Sequence, residues 1–80
     1  MNYVDKMLKL QELVNRIRKG STGTQSELAR EMRTKLSTLN RQFDTLRDME
    51  ADIRFDRMRN TYYINNDFTL TVEVSVNKEK

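Results

Sequence analysis

The chain has 80 residues, with 15 Lys and Arg against 12 Asp and Glu and a formal charge of +3. A chain of this size makes one domain that buries only about 60–65% of its unfolded surface, so it has one core and little space for an enclosed active site. With neither cysteine nor histidine, it lacks a disulfide framework, a thiolate metal site, the usual general base and the commonest metal ligand.

The N-terminus, MNYVDKMLKLQE, carries charges at Asp5, Lys6, Lys9 and Glu12, which interrupt any signal-peptide core. No run approaches the length needed to cross a bilayer. The expected location is cytoplasmic, with no membrane partner. Tyr3 to Lys19 is expected to form the first helix, with Val4, Met7, Leu8, Leu10, Leu13, Val14 and Ile17 at helical spacing. Arg16, Arg18 and Lys19 suit the negative end of its dipole, and Gly20 is a fitting stop before a loop at 21–23.

The second helix, TQSELAREM, opens with a capping box at Thr24 and Glu27. Leu28, Ala29 and Met32 form its inward face, and Ala29 is small enough to let the next helix approach closely. A short connection, Arg33-Thr34-Lys35, leads into LSTLNRQFDTLRDM, about residues 35–49. There Leu36, Leu39, Phe43, Leu46 and Met49 step by three or four. With Leu36, Leu39, Phe43 and Leu46 inward, the opposite face near the helix start presents Lys35, Ser37, Thr38, Asn40, Arg41 and Gln42, with Thr45 a turn later. A purely solvated face usually favours long charged residues over this short polar mixture. Arg and Lys can bond guanine edges, Asn and Gln adenine, and Ser and Thr phosphates or bases. Arg41 and Asn40 are therefore candidate base readers, and Ser37 and Thr38 candidate phosphate ligands.

Residues 53–64, IRFDRMRNTYYI, form two β-rich runs around a turn. Ile53, Phe55, Tyr62 and Ile64 are expected to point inward, with Arg54 and Arg57 outward and Arg59 near the tip. Arg59 either reaches a phosphate or minor groove, or solubilises the turn. Asn60 tolerates the positive φ such a turn demands. The charge distribution supports a DNA contact better than net charge does. Arg30, Arg33, Lys35 and Arg41 meet one acid, Glu31, between positions 30 and 41, while Asp44, Asp48, Glu50 and Asp52 gather near the later half and exit of the third helix. A helix-turn-helix holds its second helix in the major groove, and a following hairpin can touch the flanking backbone.

Stretch 24–64 resembles the N-terminal winged helix-turn-helix of DeoR-type and WYL-type bacterial transcription regulators. The matching pieces are LAREM at 28–32, TLNRQFDTL at 38–46, IRFDR at 53–57 and YYI at 62–64. The resemblance implies an α+β winged helix-turn-helix of three helices and a β-hairpin wing. It places Thr38, Asn40 and Arg41 on the DNA-facing part of the recognition helix, and Arg57 and Arg59 in the wing. This chain departs from the pattern at five positions. Arg33 and Lys35 stand where the family has glycine at the turn and serine as N-cap, Gln42 replaces an aspartate, and Met58 and Asn60 replace wing glycines. A left-handed Arg33 would cost about a kcal/mol. Lysine is a poor cap, so Thr34 or Ser37 is expected to take over and shift the helix start.

The segment FTLTVEVSV, residues 68–76, alternates cleanly and is expected to be an additional C-terminal strand. It either packs on the domain or pairs with its copy in a homodimer. The expected organisation is thus a winged domain over 1–66, this strand segment over 67–76 and a polar tail at 77–80. The functional expectation is a non-enzymatic, cofactor-free regulator of transcription bound to double-stranded DNA, with any signal arriving through a separate effector protein. Its candidate DNA contacts are Arg33, Lys35, Ser37, Thr38, Asn40, Arg41, Gln42, Thr45, Arg57 and Arg59. The alternative is a protein–protein interaction module on the same fold. Asp44 and Asp48, one helical turn apart without a base, nucleophile or pocket signature, are more simply exposed helix residues than catalytic acids.

Overall fold

The computed structural model describes residues 2–72. The fold is α+β: helices α1 (Tyr3–Lys19), α2 (Gln25–Glu31) and α3 (Leu36–Asp48), then strands β1 (Ile53–Asp56) and β2 (Thr61–Ile64). The two strands pair antiparallel, with Ile53 opposite Ile64 and Asp56 opposite Thr61, leaving a four-residue loop at 57–60.

Local chemistry sets the helix ends. Asn2 caps α1 by accepting a 2.8 Å hydrogen bond from the Asp5 amide, and Gly20 closes it at φ 80°. Thr24 and Glu27 form the expected reciprocal capping box on α2. α2 and α3 end alike. In α2 the amides of Arg33 and Thr34 reach back to the carbonyls of Arg30 and Ala29, each at 3.0 Å; in α3 the amides of Glu50 and Ala51 reach those of Arg47 and Leu46, at 2.9 and 3.0 Å. This is the Schellman arrangement, which needs a left-handed residue after the cap. That residue is Arg33 in one case, at φ 54°, and Glu50 in the other, at φ 76°. The expected shift of the α3 cap does not occur. Lys35 is itself the N-cap and its side chain makes no capping bond, because the Schellman turn already places its backbone at the helix entrance.

Leu10, Leu13, Val14 and Ile17 of α1, Leu28 and Ala29 of α2, Leu39, Phe43 and Leu46 of α3, together with Ala51 and Ile53, form one buried core. Full burial of a leucine contributes roughly 1.5–3 kcal/mol relative to exposure. Two leucines expected to face inward do not. Leu8 is 52% exposed and Leu36 is 44% exposed. Leu8 precedes Leu10 by two residues, about 200° around the helix, which turns it away from the core. Leu36 occupies the first turn of α3, beyond the end of the buried stripe. In the hairpin, Ile53 is buried and Tyr62 and Ile64 are half-buried as expected, whereas Phe55 keeps one side in solvent. Its other side packs edge-on against Tyr62, with ring centroids 4.9 Å apart, and Tyr62 in turn meets Phe43 at 4.8 Å.

A small polar lock joins the loop after α1 to the hairpin. The buried Thr61 hydroxyl accepts from the Thr22 amide at 2.9 Å and donates to the Thr22 hydroxyl at 3.2 Å. Thr22 Oγ1 also accepts from the Tyr62 amide at 2.9 Å and donates to the Gly23 carbonyl at 2.9 Å. Every buried polar group in this cluster is satisfied, which is the condition for burying it cheaply.

The expected C-terminal strand is corrected over the part that is described. Residues 68–72 join no sheet. Their alternation survives without the ladder: Phe68, Leu70 and Val72 are half-buried while Thr69 and Thr71 are exposed. Phe68 and Leu70 pack against the core, and the Arg18 guanidinium donates to the Phe68 carbonyl. This part therefore follows the domain surface, held by side chains instead of a ladder. Residues 73–76 of the expected strand and the tail at 77–80 lie outside the described residues. No helix among the described residues is long and apolar enough to cross a membrane.

Candidate nucleic-acid interface

α3 turns its Leu39–Phe43–Leu46 stripe into the core, and this fixes what its outer face can present. Ser37, Asn40, Arg41 and Thr45 are exposed, Thr38 is half-buried, and Arg33 and Lys35 are exposed just before the helix. Thr45 donates its hydroxyl to the Arg41 carbonyl at 2.9 Å, leaving its oxygen free to accept. Gln42 departs from the expected outward position. It is half-buried, and its Oε1 is shut off from solvent without a hydrogen-bond partner. At 100° per residue, Gln42 lies only about 65° from the centre of the apolar stripe, so it borders the core.

The hairpin loop is preorganised. Asp56 Oδ1 accepts from the amides of Met58 and Arg59 at 2.9 and 3.2 Å, and Asn60 takes the left-handed conformation at φ 55°. An aspartate bonding the amides two and three residues ahead is a standard turn former. The tip then exposes Arg57, Met58 and Arg59, with Met58 96% exposed. Asn60 also lies near the Glu27 carboxylate at the N-terminus of α2 and helps to lower its pKa. The backbone amide of Thr24, at 2.7 Å from Glu27 Oε1, is the main reason that the Glu27 carboxyl sits below the ordinary carboxylate range; the Thr24 hydroxyl and Asn60 act in the same direction.

Among the described residues Lys6, Lys9 and Lys19 on α1 and Arg30 on α2 enter no ion pair and donate no side-chain hydrogen bond; the other basic residues divide into two groups. Arg16 bridges Glu12 at 3.4 Å and Glu31 at 3.5 Å. Arg47 donates to the Ile53 carbonyl at 3.0 Å and lies over the Phe43 ring. Arg54 grips Asp52 through two contacts of 3.1 Å, and the hydrogen bond from Arg54 is the leading cause of the depressed Asp52 pKa. Arg18 holds Phe68. These four secure the fold. By contrast, Arg33, Lys35, Arg41 and Arg57 enter no ion pair and donate no side-chain hydrogen bond among the described residues, while Arg59 has one long contact of 3.9 Å to Asp56. The first turn of α3 contains no acid, and its first amides have no side-chain acceptor.

Two participants were not assigned to this face by sequence reasoning. The Gln25 amide, at the first position of α2, donates to Asn40 Oδ1 on α3, and Leu36 adds exposed apolar surface beside Lys35. Position in the first turn of α2 could have drawn attention to Gln25. Its partner depends on how α2 crosses α3, which no local pattern carries. Comparison of the chain with family models, with curated proteins and with solved structures finds no match in any of the three.

Proposed function

We propose that this chain is a cytoplasmic, sequence-specific regulator of transcription that binds double-stranded DNA through a winged helix-turn-helix. In this reading α2 and α3 are the helix-turn-helix, α3 enters the major groove and the 53–64 hairpin is the wing. One observation carries it: Arg33, Lys35, Arg41 and Arg57, left unengaged among the described residues, gather beside the start of α3 and on the hairpin loop, while Arg16, Arg18, Arg47 and Arg54 hold structure together. Arg33, Lys35 and Arg57 then neutralise phosphates, Ser37, Thr38 and Thr45 add hydroxyl contacts, and Arg41 and Asn40 meet base edges. The uncapped first turn of α3 supplies amide donors of the kind that phosphate oxygens accept from.

The reading includes a homodimer whose contact is the 68–76 segment, with Phe68 and Leu70 remaining on their own core and the rest of the segment meeting the second copy, because two half-sites one helical turn apart call for two copies. Val72→Lys should then lower the sedimenting mass from dimer to monomer with the helical signal intact; an unchanged mass would reject this contact.

A protein-interaction module on the same fold is the second reading. It is favoured by the exposed Asp44, Asp48 and Glu50 on and after α3, and by the bare Met58 side chain at the loop tip. Anisotropy titration with mixed duplex fragments at several salt concentrations separates the two. DNA binding should weaken steeply with salt, with a log–log slope near −0.9 per phosphate neutralised, about −3.5 to −4.5 for the four or five candidate cations. Absence of binding at low salt would transfer the assignment to the protein-interaction reading.

A further inference from the structure

Gln25 and Asn40 come from different helices, lie 15 residues apart in sequence, and share a hydrogen bond in which Gln25 Nε2 donates to Asn40 Oδ1. Gln25 is half-buried at the start of α2, whereas Asn40 is exposed on α3. An asparagine amide has one acceptor oxygen and an NH2 group with two donor hydrogens. The two-bond match to adenine uses both sides at once: Oδ1 accepts from N6 and Nδ2 donates to N7. In this fold, a base reaching for Oδ1 must share that oxygen with Gln25, while Asn40 Nδ2 has no partner among the described residues. The side chain is offered outward mainly as a donor. Guanine, with acceptors at both N7 and O6, is the base edge that suits it.

We propose that Gln25 is a specificity-determining positioning residue, which orients the Asn40 amide so that Asn40 selects guanine over adenine. The inference rests on the DNA-binding reading and deepens it. It changes the assignment that asparagine alone would suggest, because the bond from α2 occupies one of the two lone pairs of Oδ1 and holds that oxygen toward Gln25 before DNA arrives. It also makes the selected base depend on the polarity of residue 25. Glutamate at that position accepts instead of donating. It would turn the Asn40 NH2 group toward itself and leave Oδ1 outward, to meet the amino donor of adenine or cytosine.

The test is selection of binding sites from duplexes with a randomised core, using wild type, Gln25→Ala, Gln25→Glu and Asn40→Ala. Wild type should prefer guanine at one position where Asn40→Ala loses all preference. Gln25→Ala should shift that position toward adenine by about tenfold, and Gln25→Glu should shift it toward adenine or cytosine, with other positions unchanged. Alanine is a good helix former, and an acid in the first turn suits the α2 dipole, so both variants should keep the wild-type circular dichroism. Wild-type base profiles in both Gln25 variants would overturn the inference while leaving DNA binding in place. A wild-type protein that binds no duplex would overturn both.

Discussion

Arg33→Gly and Glu50→Gly, made separately, test whether the two helix-ending left-handed residues store strain for different reasons. Both occupy the same position of a Schellman turn, at φ 54° and 76°. A side chain with a Cβ in this conformation costs about 1–2 kcal/mol. Glycine removes that cost but gains unfolded-chain entropy worth about 0.4–1 kcal/mol. The balance is a net stabilisation of about 0.5–1 kcal/mol for either substitution. For a domain this small, that predicts a melting temperature higher by about 2–8 °C. Glu50 enters no ion pair among the described residues, and its bond from the Asn66 amide, 2.8 Å, reaches the backbone carbonyl, so truncating the side chain should lose little else. Glu50→Ala is the control, since it keeps the Cβ and should bring no such rise. Differential scanning calorimetry reads all of this directly. Arg33→Gly should show the same thermal gain and, in addition, weaker DNA binding with a salt slope shallower by about 0.9. A Glu50→Gly protein with native circular dichroism and a melting temperature at or below wild type would refute the strain argument. An Arg33→Gly protein that is stabilised yet binds DNA like wild type would remove Arg33 from the interface. A strained residue kept where glycine would relax the chain is a pointer to function.

The remaining predictions concern the interface, the polar lock and acid stability. Arg41→Ala should weaken binding to a preferred site by roughly 1–3 kcal/mol and relax its base preference in competition assays; equal loss on every duplex would assign Arg41 to phosphate. Thr61→Val removes the acceptor of the buried Thr22 amide and should cost about 1–3 kcal/mol in denaturant unfolding, with Thr61→Ser losing less; a valine variant as stable as wild type would show that the lock is dispensable. Glu27 has a depressed carboxyl pKa in the folded state, so its contribution is complete above its unfolded pKa and disappears as pH falls through the lower folded value. Melting curves from neutral to strongly acid pH should therefore show wild type losing its advantage over Glu27→Gln in acid, and a constant difference across that range would contradict the assignment.

Much of this architecture is written in short-range chemistry. The boundaries of α1, the Thr24–Glu27 box, the hairpin strands and the left-handed Asn60 follow from periodicity, capping and turn preferences, all of which act over a few residues. The candidate cations were also visible as a local excess of Arg and Lys. Which of them remain unengaged was not, because ion pairing between Arg16 and Glu31, or the reach of Arg47 to the Ile53 carbonyl, depends on where separate elements meet. Gln42 shows the same limit at finer scale: its polarity suggested the outer face, while packing placed its amide at the core margin. For the 68–72 segment the alternation was legible but the ladder was not, since a strand requires a neighbouring backbone that sequence alone does not supply. The Thr22–Thr61 lock and the Gln25–Asn40 bond unite residues 39 and 15 positions apart. Local sequence determined the helices, the Thr24–Glu27 capping box and the hairpin of this protein. Tertiary structure alone decided which polar groups hold the fold and which stay unengaged at the surface, because hydrogen-bond and charge satisfaction depend on distance in space.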